Sequence, residues 1–294
     1  MLSEYRIPVG TEDAQLLEEA GEEMGGWFLF RDAMEGRDYL TGYFEREIDA
    51  ETSLEALSAV LPVPISIANA RVTPVEDRDW KEAYKEHFKA WRCGGLHWVP
   101  VWERDGYSVP EGEKVIWLDP GMAFGTGNHE TTRLCVERMI AFCEKSRRTG
   151  RDISRMSLLD VGSGSGILAL SAARLGFGKV TGFDNDAEAV AISRENATGN
   201  DLPERVDFFV GGLPEGLHGR SADLVLANIQ SDVLMRHADD LLAAAKPGGA
   251  LVMSGILAAE VVRVREHFEE RAPERRVESR VLGEWADLAI GREE

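Results

Sequence analysis

From residue 157 onward, short apolar runs alternate with stretches of helical periodicity, and this alternation limits the fold more than any other feature. The strand-like runs lie at 158–161, 179–183, 206–210, 223–227 and 250–254. Helical spacing of apolar residues occupies 167–175, 187–196, 233–245 and 259–269. Strands and helices in this order predict a parallel sheet covered on both faces, a doubly wound α/β fold. Segments 276–282 and 284–290 read as an antiparallel closing pair, which brings the sheet to seven strands.

Doubly wound sheets bind ligands outside the carboxyl ends of their strands. There the first strand runs into Asp160-Val161-Gly162-Ser163-Gly164-Ser165-Gly166-Ile167. Glycines such as Gly162 and Gly164 admit a ligand close to the backbone, where side chains would block it. Asp184 ends the second strand about 20 residues on, where an acid accepts hydrogen bonds from the ribose hydroxyls of an adenosine cofactor. A dinucleotide fingerprint wants glycine at its sixth position, which here is Ile167. That departure weakens a nicotinamide reading and suits a cofactor without a pyrophosphate, its methionine tail over the turn. Asp160 is open between bonding loop amides and touching the cofactor, and Asp186 reads as the N-cap of the next helix.

The fourth strand ends at Asn228-Ile229, beside the place such a sheet gives to a cofactor's reactive group. The Asn228 side-chain oxygen and the Ile229 carbonyl can both accept from an amine and so fix the direction of its lone pair. The alternative for Asn228 is a cap on the following helix. Ahead of the sheet, Leu118-Asp119-Pro120-Gly121-Met122-Ala123-Phe124-Gly125-Thr126-Gly127-Asn128-His129-Glu130-Thr131-Thr132 reads as a glycine-rich loop entering a helix. Thr131 or Thr132 either caps that helix or faces the cofactor. His129 has no second histidine at ligand spacing, so no metal site is expected, and a structural role is preferred to proton acceptance.

The first 72 residues read as β-α-β-β-α-β, with strands at 5–9, 27–30, 39–44 and 65–72 and helices at 14–24 and 53–61. That order predicts a small ferredoxin-like α+β domain, a topology that carries no function by itself. Residues 73–117 read as a connector with a helix at 79–88, and 118–294 as the main domain. With 33 basic and 52 acidic residues the chain carries −19, which disfavours direct nucleic-acid binding and favours a basic protein partner. No apolar run approaches the ~20 residues of a membrane span. The opening MLSEYRIPVG lacks the pattern of a secretory signal, so no membrane association and a cytoplasmic location are expected. Cys93, Cys135 and Cys143 form no C-x-x-C pair and read as reduced thiols.

The stretch Leu118 to Thr132, the turn Asp160 to Gly166 and the pair Asn228-Ile229 closely resemble the PrmA family, the methyltransferases of ribosomal protein L11. The resemblance covers nearly the whole chain and includes Asp79-Trp80 and Glu284-Trp285. It implies an N-terminal domain that recognises the ribosomal protein, a flexible connector and a class I methyltransferase domain using S-adenosylmethionine. The implied reaction is trimethylation of the substrate's N-terminal α-amine and of lysine amines. By matching position, Thr132, Gly162, Gly164, Asp184 and Asn228 would contact the cofactor, with Asn228 also positioning the amine, while Phe124 and Thr126 would line the site's entrance. Asn128 and Glu130 stand where the family also has threonine and proline, and Gln230-Ser231-Asp232 falls at a variable stretch. The rival readings are a methyltransferase of another protein, of a small molecule or of nucleic acid, a nicotinamide dehydrogenase, and a non-catalytic ligand-sensing protein.

Overall fold

The computed structural model describes residues 3–10, 13–14, 17, 27–32, 37–44, 46–60, 65–74, 89–119 and 129–291. The chain divides into two compact units, Met1–Glu86 and His87–Glu294.

In the first unit, β1 (Ser3–Val9), β2 (Trp27–Asp32), β3 (Arg37–Phe44), α1 (Glu47–Val60) and β4 (Arg71–Pro74) follow one another. The strands form an antiparallel sheet in the order β2-β3-β1-β4, the pairing of a split β-α-β-β-α-β unit. Alternate residues Tyr5 and Ile7 of β1 turn to one face, where they join Trp27, Leu40 and the α1 residues Leu54 and Leu57 in a small core. Residues 13, 14 and 17 are helical, and the rest of the expected helix at 14–24 lies outside the described residues. The strand expected at 65–72 gives way to a 3-10 turn, Ile67–Asn69, because the Ser66 hydroxyl accepts the Ala68 amide at 3.3 Å and caps it.

The second unit begins inside the segment read as a connector. Within residues 73–117, β5 (Trp91–Cys93), β6 (Leu96–Pro100) and most of β7 (Lys114–Leu118) form a three-stranded sheet. Gly94 and Gly95, read as a break, have φ of 53° and 74° and turn β5 back onto β6. The expected helix at 79–88 lies outside the described residues.

Then come α2 (Glu130–Arg148), β8 (Ser157–Val161), α3 (Ile167–Leu175), β9 (Lys179–Asp184), α4 (Ala187–Gly199), β10 (Val206–Val210) and α5 (Leu213–Leu217). β11 (Ala222–Asn228), α6 (Ser231–Arg236), α7 (Ala238–Ala244), β12 (Ala245–Leu257), α8 (Val261–Arg271), β13 (Arg276–Leu282) and β14 (Trp285–Gly291) complete it. The seven strands lie in the order β10-β9-β8-β11-β12-β14-β13. All pairs are parallel except those that β14 makes with β12 and β13. The sequence reads 233–245 as one helix; the chain breaks it at His237, whose φ of −110° leaves the helical range.

The small sheet attaches to the large one through α3 and α4. The Trp98 indole N–H donates to the Ser171 hydroxyl of α3 at 2.8 Å. Asn196 and Asn200, one turn apart on α4, accept from the amides of Asp119 and Trp117 at 3.0 and 2.8 Å.

α2 is latched to the closing hairpin. Asp287 is fully buried and accepts from Arg138 at 2.9 and 3.0 Å and from Arg280 at 2.6 and 3.0 Å. Removing one partner of a buried ion network leaves uncompensated charge, a cost of about 3–5 kcal/mol. Asp287→Ala is therefore expected to destabilise this unit by about 3 kcal/mol in urea unfolding; a change below about 0.5 kcal/mol, the scale of a surface substitution, would refute the latch.

Candidate active site

The turn after β8 rests on the neighbouring strand. The amides of Gly162 and Ser163 both donate to the Phe183 carbonyl at 2.9 Å, and the Gly164 amide donates to Asp184 Oδ2 at 2.8 Å. Gly162, Gly164 and Gly166 have φ of 70°, 51° and 80°, a region L side chains rarely adopt. Space is closed as well, since a Cβ at Gly162 would lie 2.5 Å from Ile229 Cγ2, and one at Gly166 2.8 Å from Ser193 Cβ.

Asp160 sits beneath this turn with no exposure, and its Oδ2 accepts the Ala169 amide of α3 at 2.9 Å. Burial pushes its carboxyl up to about 7, with the Ala169 bond opposing and the Asp184 charge adding. Of its two readings it takes the structural one, because it does not line the cavity above. Asp186 caps α4 as expected, accepting the Glu188 amide at 2.8 Å.

Above the carboxyl edge lies a cavity of about 520 Å³. Its lining follows strand order. Gly211, Gly212 and Leu213 come after β10, Phe183 and Asp184 end β9, and Gly162 and Gly164 follow β8. Asn228 and Ile229 follow β11, Gly255 lies on β12, and Trp285 opens β14, where it pairs with Leu257 at the same edge. Thr131, in the first turn of α2, closes the rim. Asp184 is the one ionisable side chain among these lining residues.

The cavity brings together Gly162, Gly164, Asp184 and Asn228. Asn228 Oδ1 is buried and has no hydrogen-bond partner among the described residues. Gln230, not Asn228, holds the cap position of α6, so the capping alternative does not apply. Gly255, at φ 81°, packs directly against the neighbouring backbone, where a Cβ would lie 2.4 Å from Ile229 O. Asp184 Oδ1 accepts the Asp186 amide at 3.0 Å, so each carboxylate oxygen holds one amide and keeps a lone pair for a further donor.

Thr132 lies buried behind the rim, its hydroxyl without a partner among the described residues, and its neighbour Thr131 lines the cavity instead. Neither threonine caps α2. His129 does, and its Nδ1 lies 2.9 Å from the Thr131 hydroxyl. Phe124 and Thr126 lie outside the described residues. Gly211, Gly212, Gly255 and Trp285 were not singled out as site residues. A Gly-Gly pair directly after a strand carries the same signal as the turn after β8, whereas Trp285 is recognisable only from sheet order. Among the described residues, no cluster of His, Cys, Asp or Glu is placed to hold a metal, and no helix is long and apolar enough to cross a membrane.

A family model described as "Ribosomal protein L11 methyltransferase (PrmA)" matches residues 7–293. A protein of Pelobacter propionicus named ribosomal protein L11 methyltransferase is 39% identical over 85% of this chain and 80% of its own length. One of the same name from Pseudomonas fluorescens is 35% identical over 87% of this chain and 88% of its own. The crystal structure of the ribosomal protein L11 methylase from Lactobacillus delbrueckii subsp. bulgaricus superposes with a TM-score of 0.60 at 28% identity, covering 70% of this chain and all of that one.

The buried Asp160 makes stability depend on pH. Its folded pKa, about 7, lies above the ordinary 3.8, so its contribution is whole below pH 3.8 and is lost as pH rises through 7. Asp160→Asn keeps an acceptor for the Ala169 amide and cannot ionise. In urea unfolding, the variant's stability relative to the parent is expected to rise between pH 4 and pH 7.5; parallel pH profiles would refute the assignment.

Proposed function

The chain belongs to the PrmA family of ribosomal protein L11 methyltransferases, and on that premise we propose that it transfers methyl groups from S-adenosylmethionine to the N-terminal α-amine and lysine amines of ribosomal protein L11. The observation that carries this reading is the convergence of Gly162, Gly164, Asp184 and Asn228 on one cavity, where the buried Asn228 Oδ1 has no partner among the described residues.

These residues fit the cofactor. Asp184 retains a lone pair on each oxygen for the ribose hydroxyls, the glycine turn admits the methionine portion, and Gly211, Gly212 and Leu213 offer an uncharged wall for the base. When bound, S-adenosylmethionine supplies a methyl already activated by its sulfonium.

The protein's own work is then to hold a neutral amine in line. Asn228 Oδ1 and the Ile229 carbonyl are two acceptors at the end of β11, and an amine donating to both presents its lone pair in one direction. Deprotonation is the main cost. A lysine with a pKa of about 10.4 costs roughly 4–5 kcal/mol to neutralise at pH 7, and an α-amine about 1 kcal/mol. The one carboxylate among the described lining residues, Asp184, ends a strand two places from that of Asn228, which limits how far the pocket raises the amine's pKa.

Residues 1–72, part of a compact unit of their own, are proposed as the substrate-recognition domain, with −19 on the chain favouring a basic partner. Thr132 is proposed as a cofactor contact, Phe124 and Thr126 as the entrance, and the cytoplasm as the location.

The test is transfer of labelled methyl from S-adenosylmethionine to purified ribosomal protein L11, with sites mapped by mass spectrometry; absence of transfer would overturn the proposal. Asn228→Ala is expected to lower kcat by about 10–100-fold, the scale of one hydrogen bond to a charged group, with an unchanged melting curve. Full activity would remove Asn228 from the amine site. Asp184→Asn is expected to weaken S-adenosylmethionine binding about tenfold in calorimetry, and unchanged affinity would refute the ribose contact.

A further inference from the structure

We propose that Trp285 is the residue that retains the partly methylated ammonium between successive transfers, so that its indole governs how far methylation proceeds. The inference rests on the proposed function and on the order of residues along the sheet edge.

The lining from β10 through β11 accounts for a cofactor: an uncharged wall, the Asp184 carboxylate, the glycine turn and Asn228. Beyond Asn228 the sheet continues through β12 to β14, and the cavity continues with it. Two strand spacings, about 10 Å, separate β11 from β14. That room lies past the group that holds the amine, so it is the acceptor's end. Gly255 lines the middle of it, and Trp285 walls its far side.

The Trp285 ring is held in place. It makes a T-shaped contact with His129, with centroids 5.0 Å apart and an interplanar angle of 66°. His129 in turn is tied to the first turn of α2 as its cap. The histidine, for which the sequence favours a structural role, is thereby a support for the tryptophan.

The chemistry of repeated transfer fits an aromatic wall. In each round the neutral amine nitrogen bonds to the methyl carbon. The carbon–sulfur bond breaks with its electron pair left on sulfur as the neutral thioether, and the new ammonium must lose a proton to solvent water before it reacts again. A carboxylate would hold that ammonium strongly, but would raise its pKa and obstruct the proton loss. An indole attracts the cation through its quadrupole and accepts no proton. It also packs better as methyls replace N–H groups. Among the described lining residues the only carboxylate is Asp184, on β9 at the cofactor's end.

Two measurements test this. The first is the product distribution on ribosomal protein L11, read by mass spectrometry at low turnover, for the parent, Trp285→Phe and Trp285→Leu. The ratio of trimethyl to monomethyl product is expected to fall about fivefold or more in Trp285→Leu and to recover largely in Trp285→Phe. The second is calorimetry without cofactor, using a peptide bearing trimethyllysine and its unmodified counterpart. The parent is expected to prefer the trimethylated peptide about fivefold, and Trp285→Leu to lose that preference. Equal product ratios and equal preferences in parent and Trp285→Leu would overturn the proposal while leaving the methyltransferase reading intact. A parent that transfers no methyl would overturn both.

Discussion

The carbonyl of Phe183 accepts two amides from the turn after β8, and the rest of the site depends on that close approach. It fixes the turn against the end of β9 and lets the Gly164 amide reach the carboxylate of Asp184. The fit leaves no room for a Cβ at two of the glycines around it. A Cβ at Gly162 would meet Ile229, and one at Gly182 would lie 2.7 Å from the Phe208 ring. A Cβ at Gly182 would also lie 3.2 Å from Ser163 Cβ, so this glycine lets the turn sit close to β9. Asp160, buried beneath, ties the same turn to the start of α3. Displacing the turn would break these bonds together, which is the rigidity a site that aligns reacting atoms requires.

Sheet topology converts this local arrangement into a long, ordered cavity. The parallel strands present their carboxyl ends on one edge, and the chain runs outward in both directions from β8 and β11. Cavities form at such a reversal because the connecting segments diverge there. β14 runs the other way, so its first residue, Trp285, lies at the edge where its neighbours end. The antiparallel insertion thus supplies an aromatic side chain where another parallel strand would supply only its terminus.

The sequence makes the central elements legible where the signals are local. Segment 167–175 is helical over the span its apolar spacing indicates, because Gly166 and Gly176, at φ 80° and 106°, stop it on both sides. Gly162, Gly164, Asp184 and Asn228 could be placed together because each ends a strand whose neighbour follows from a βαβ order. What escaped depends on distant partners. The strands at 91–118 are short, and Gly94-Gly95 reads equally as a break or a hairpin turn. What places them is Ser171 on α3 and the asparagines of α4, far along the chain. The cap of α2 is His129, although two threonines follow it, because the histidine ring, fixed against Trp285, is the acceptor that reaches the Thr131 amide. Nothing in the apolar spacing of 233–245 announces the break at His237.

Charge is distributed to suit two opposed requirements. An acidic chain, at −19, raises the encounter rate with a basic substrate. Every negative charge near the reacting nitrogen, however, stabilises the protonated amine and adds to the cost of neutralising it. The described cavity meets both demands by separation. Its one carboxylate, Asp184, is engaged by the Gly164 and Asp186 amides at the cofactor's end, while the acceptor's end offers carbonyl-type oxygens and an indole. Under the proposed function the long-range field attracts the substrate as a cation, and the local surroundings favour its free base. If each proposed methyl transfer regenerates a cation in that same place, the neutral lining matters again in every round.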